Sequence, residues 1–126
     1  MTQLPRLDGF DVKAAVARML GEPALWWQAL SVYEAHFGHW DAEWQLVLGD
    51  TAAERRKVHV LRSAAGNIGA VRLALDAEVF ENFLLAYPGE VASPMAEGLR
   101  RRLQHEFELA REGVRRTLAA RSEARC

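Results

Sequence analysis

The chain has 126 residues, half of them hydrophobic and about a quarter charged, which fits one domain with a core of its own and excludes disordered or collagen-like chains. Sixteen basic against seventeen acidic residues leave a formal charge of −1, so a general nucleic-acid binder is excluded too. The single cysteine, Cys126, allows no internal disulfide and no cysteine-based zinc site. No apolar stretch has the length of a membrane span or the position of a signal-peptide core, so the expected setting is cytoplasmic, without direct membrane contact.

Apolar residues recur at three- and four-residue steps instead of alternating, so every element reads as helix. Residues 1–10 read as an N-terminal extension. Asp11 then caps a short helix with Val12, Ala15, Val16 and Met19 on one side, ending at Gly21. Pro23 opens a second helix along which Trp26, Leu30, Tyr33, Phe37, Trp40, Trp44 and Val47 form a core seam, with Gly38 as the place of a kink or split. One of the neighbours Trp26 and Trp27 is expected to point away from that seam. Thr51 and Glu54 have the spacing of a capping box for a third long segment whose buried side is Val58, Leu61, Ala65 and Ile68. Leu73, Ala77, Phe80 and Leu84 form the next stripe, closed by Tyr87-Pro88-Gly89. Ser93-Pro94 begins the longest helix, with Met95, Leu99, Leu103, Phe107, Ala110, Val114 and Leu118 inward, Arg100-Arg101-Arg102 as a solvated face, and a frayed tail over 119–126. Short connections imply antiparallel neighbours: an all-α, up-and-down four-helix bundle over 11–118 with an additional short N-terminal helix.

Charge is uneven along this plan. Leu7 to Asp50 holds Asp8, Asp11, Glu22, Glu34, Asp41, Glu43 and Asp50 against Lys13 and Arg18, whereas eight Arg face five Glu from Glu97 onward. The two regions either attract each other or present faces of opposite sign.

The stretch from Val58 to Ala70 carries the chemistry. His59 lies opposite Val58, Leu61 and Ala65 and is expected to be exposed, with Arg55 and Arg56 one turn before, Arg62 one turn after, and small Ser63 and Gly66 beside it. A neutral imidazole nitrogen is a nucleophile toward phosphorus, neighbouring cations favour that neutral form, and arginine holds phosphoryl oxygens by charge-assisted hydrogen bonds. Small side chains leave room for a second protein.

His59, Leu61, Arg62, Ala64, Ala65, Gly66, Asn67, Ile68, Gly69 and Ala70 resemble the motif of the histidine-containing phosphotransfer (HPt) domain of bacterial multistep phosphorelays, and the opening from Asp11 to Leu25 is similar to that family's first helices. The resemblance implies an antiparallel four-helix bundle in which His59 accepts a phosphoryl group from a receiver-domain aspartate and donates it to another. It implies Arg62 as the phosphate-stabilising residue and Arg55, Arg56, Ser63, Gly66 and Asn67 as partner-binding. The partners implied are response-regulator receivers and a hybrid histidine kinase, of which the chain is either a free companion or a module. No cofactor of its own is implied, the Mg²⁺ being the receiver's, and the chain is not an enzyme by itself. Arg62 stands where lysine is commoner in the family, and Ser63 where glycine is.

Two readings stand beside this one. The first is a non-transferring interaction module on the same fold that binds a receiver, a kinase or another enzyme to regulate it. The second is a metal- or haem-binding bundle using His36, His39 or His105, for which no clear set of further ligands is at hand. A monomer is the default state.

Overall fold

The computed structural model describes residues 3–124, and among them the secondary structure is helical without strands. Six α-helices follow one another: α1 Val12–Arg18, α2 Pro23–Phe37, α3 Trp40–Gln45, α4 Thr51–Asn67, α5 Val71–Ala86 and α6 Pro94–Ala124, with a 3₁₀ turn at Pro88–Glu90 between the last two. The four long helices pack in a closed cycle, α4 on α5, α5 on α6, α6 on α2 and α2 on α4. Each brings one apolar stripe to a common core: Trp26, Leu30 and Tyr33 from α2; Val58, Leu61 and Ala65 from α4; Leu73, Ala77, Phe80 and Leu84 from α5; Leu103, Phe107, Ala110 and Val114 from α6. Burying each large side chain contributes about 1.5–3 kcal/mol, so this core outweighs any intrinsic helix preference.

Local chemistry sets the ends. Asp11 caps α1 by accepting from the Ala14 amide at 3.0 Å, as the sequence predicts. Gly38 does split the second segment, and Trp40 and Trp44 of α3 continue its seam, stacked on each other. Asp50, not Thr51, caps α4, accepting from the Ala53 amide. Glu54 is freed from the expected capping box and buried completely, receiving Arg100 through Nε at 2.8 Å and through Nη2 at 2.7 Å, with the Trp44 indole N–H at 2.9 Å.

Arg100 is therefore core and not part of a solvated run, whereas Arg101 and Arg102 do face water. The inward register of α6 starts from Ala96; Met95 is exposed because steps of four from Met95 to Leu103 drift off the stripe that Ala96, Arg100 and Leu103 define. Residues 3–10 are no loose extension: Leu7 is in the core, and the Arg72 amide donates to Gly9 O at 3.2 Å. Nor does α6 fray at 119. It continues to Ala124, and Arg121 lies over the Trp27 ring at 4.4 Å. That cover leaves both Trp26 and Trp27 buried. Cys126 lies outside the described residues.

The acidic and basic regions attract each other. Arg111 reaches Asp41 at 2.9 Å and Arg115 reaches Glu34, tying α6 to α2 and α3. Among the described residues no helix is long and apolar enough to cross a membrane.

Candidate functional site

The site is built on the middle of α4, and α4 is held at both ends. At its start Glu54 is locked to Arg100 and Trp44. At its finish the Trp26 indole donates to Ile68 O at 3.0 Å, the Arg18 guanidinium to Gly66 O at 2.9 Å, and the Asp11 amide to Gly69 O at 2.8 Å. A helix fixed this way presents its outer face as a rigid surface.

His59 stands on that face with its side chain 52 % exposed. Its Nδ1 lies 2.7 Å from Oε2 of Glu81 on α5, a carboxylate whose side chain is 5 % exposed. A carboxylate only accepts, so Nδ1 carries a proton and donates it, and in the neutral ring the lone pair is then on Nε2. The other oxygen of Glu81, Oε1, accepts from Arg62 Nη1 at 2.8 Å. One buried carboxylate thus orients both groups. The nearest charge to the imidazole is consequently an acid, and the purely cationic surroundings expected from α4 alone are corrected by a residue that α5 contributes.

Arg55 is half-buried and Arg56 exposed, and neither forms an ion pair among the described residues. They are free for an anion brought from outside. Ser63 and Asn67 are exposed on the same side as His59, and a Cβ placed on Gly66 would meet no atom within 4 Å. Beside them, between α2 and α4, runs a shallow apolar strip of Ala29, Val32 and Ala64 with Val60 half exposed next to it. Gly69 differs from Gly66: its φ is +83° and an added Cβ would lie 2.6 Å from Asp11 O, so its role is the turn into α5.

Glu81 was not among the site residues expected from sequence. The signal was there, since Glu81 falls four residues after Ala77 and three before Leu84, inside the apolar stripe of α5. A carboxylate on a core-facing position calls for a partner.

His36 and His39 are not joined by further ligands: among the described residues no group of three His, Cys, Asp or Glu side chains is arranged to hold a metal ion. Arg100, Arg101, Gln104 and His105 border a groove between α3 and α6, away from His59. In comparisons with protein-family models, with characterised proteins and with solved structures, nothing matches this chain.

Proposed function

We propose that the chain is a histidine phosphotransfer module of a two-component phosphorelay, taking a phosphoryl group on His59 from the aspartate of one receiver domain and passing it to that of another. The observation that carries this reading is an exposed imidazole whose Nδ1 is held by a buried carboxylate at 2.7 Å. The cycle of four long helices is, on this reading, an antiparallel up-and-down bundle, and α1 the additional short helix.

The chemistry follows from the atoms. The Nε2 lone pair attacks the phosphorus of an aspartyl phosphate; the N–P bond forms as the P–O bond to the carboxylate breaks, and that electron pair leaves with the aspartate. The ring now bears a positive charge, which Glu81 stabilises through the Nδ1–H hydrogen bond. Arg62, with Arg55 and Arg56 nearby, offsets the phosphoryl charge. Return of the group to a second aspartate is the same path reversed. Mg²⁺ belongs to the receiver's acidic site, and this chain's task is to bind, orient and carry. Ser63, Gly66, Asn67 and the apolar strip beside them form the surface on which the receiver sits.

The test is phosphotransfer from a labelled receiver. Wild type acquires an acid-labile label and His59→Gln none; equal labelling of both rejects the reading. Receiver binding without any label on His59 identifies instead the interaction module that has kept the surface and lost the chemistry.

A further inference from the structure

The α4–α5 site leaves the opposite side of α5 unexplained. That helix is apolar on its core face and again on its outer face, where Val71, Leu75 and Val79 are about half exposed. Helices apolar on both faces are ones covered on both. Between the end of α5 and the start of α6 this face deepens into a groove lined by Val79, Phe83, Ala86, Tyr87, Met95 and Leu99. Tyr87 and Met95 are 57 % and 61 % exposed.

We infer that this groove docks a second copy of the chain, α5–α6 face to α5–α6 face, about a two-fold axis that crosses α5 at the level of Asn82. Charge supports a copy of the same chain as the occupant. Exposed Glu90 closes one end of the groove. Arg102, one turn beyond Leu99, stands at the other end with its side chain 73 % exposed and Nε held 3.3 Å from Asp76. An acid at one end and a base at the other is a pattern that complements itself when one copy is turned end for end: Glu90 of each copy meets Arg102 of the other, twice per pair. Leu75, Val79, Asn82 and Ala86 step by four, three and four along the face. The exposed Asn82 amide both donates and accepts, so two copies of it satisfy each other across the axis.

Size sets the strength. Turned about Asn82, near the end of α5 (Val71–Ala86), the two copies overlap along the groove and not along the whole helix, so the buried face falls below the ~800 Å² per partner of a standard interface. A dimer on an interface of this size is a weak, reversible one, and the monomer persists at low concentration. His59 lies on the α4–α5 side and remains free in both states.

Sedimentation equilibrium of the full chain from about 1 to 200 μM tests this. The expected result is a monomer–dimer equilibrium that Val79→Lys, or independently Met95→Lys, converts to monomer. Glu90→Arg and Arg102→Glu each weaken association by about tenfold, and the double variant E90R/R102E restores it, helical circular dichroism confirming that each variant folds. A single 14.1 kDa species across the range, a dimer indifferent to both lysine variants, or a double variant no tighter than the single ones overturns the inference. His59 labelling, read on the same samples, reports on the phosphotransfer reading separately.

Discussion

Glu81 touches His59 Nδ1 with one carboxylate oxygen, at 2.7 Å, and Arg62 with the other, at 2.8 Å, so a single buried acid on α5 orients the imidazole and sets the resting place of the neighbouring arginine. Glu81→Ala removes both restraints. The expected outcome is a shift of His59 from the Nδ1–H to the commoner Nε2–H tautomer, read from imidazole ¹⁵N shifts, with transfer slowed by about a hundredfold. Glu81→Gln keeps an acceptor and the tautomer, loses the charge that stabilises the phosphorylated ring, and falls between. An unchanged tautomer in the alanine variant removes Glu81 from the mechanism.

Arg62 is held by Glu81 at rest and, in the proposed transfer, is shared with the incoming phosphoryl group. Its side chain is 39 % exposed, enough to swing outward without unfolding α4. Arg62→Ala should slow phosphorylation by about tenfold with the circular dichroism spectrum unchanged. Arg62→Lys should recover much of the rate, since charge is retained and only the planar fork is lost.

Both residues show how far the chain could be read unaided. His59 and Arg62 were legible because they sit within one helix, where the 3.6-residue period places neighbours directly. The stripes of α4 and α5 were legible for the same reason. Glu81, Glu54 and Arg100 were not, because each is a charge on a core-facing position whose partner lies on another helix, and periodicity reports facing without naming what is faced. The register of α6 slipped at Met95 for a related reason: the stripe includes Arg100, which a hydrophobic count discards. Residues 3–10 read as a mere extension because what anchors them follows no helical period: Leu7 in the core, Leu4 and Phe10 packed against it, and Gly9 O bonded to the Arg72 amide.

The Glu54–Arg100 pair yields a stability prediction. Glu54 is fully buried and accepts from Arg100, Trp44 and the Gly49 amide. Glu54→Ala leaves the Arg100 guanidinium with only the exposed Glu97 carboxylate and the Val91 carbonyl and should cost about 3 kcal/mol in urea unfolding, the low end for a broken buried pair. The double variant E54M/R100M removes both charges. Its cost should fall well short of the sum of the two single losses, the remainder being the unpaired Trp44 N–H, Gly49 amide and Val91 carbonyl.

Asp41 governs part of the acid limb. Burial on its own raises the carboxyl's proton affinity, but hydrogen bonds from Gln104 and Arg111 and the charge of Arg111 outweigh it and hold Asp41 below the usual carboxylate range. With the folded value below the unfolded one, of about 3.9, the group stabilises the fold above that pH and ceases to as pH falls through the folded value. Asp41→Asn should therefore be less stable than wild type at pH 7 by about 1 kcal/mol. The gap should close progressively below about pH 4, and a gap that is constant with pH contradicts the assignment.

Gly66 and Gly69, three residues apart, should respond to alanine in opposite ways. Gly69 has φ +83°, and its Cβ would press to 2.6 Å from Asp11 O and 3.0 Å from the Ala15 Cβ. Gly69→Ala should thus push α1 away from the end of α4 and cost about 2–4 kcal/mol. Gly66 is helical and open above, so Gly66→Ala should stabilise the fold by about 0.5–1 kcal/mol. If that open space is where a receiver sits, the more stable protein is also the poorer carrier, with weaker receiver binding in titration calorimetry and slower labelling of His59. Tighter or unaltered receiver binding in Gly66→Ala would place the docking surface elsewhere on the molecule.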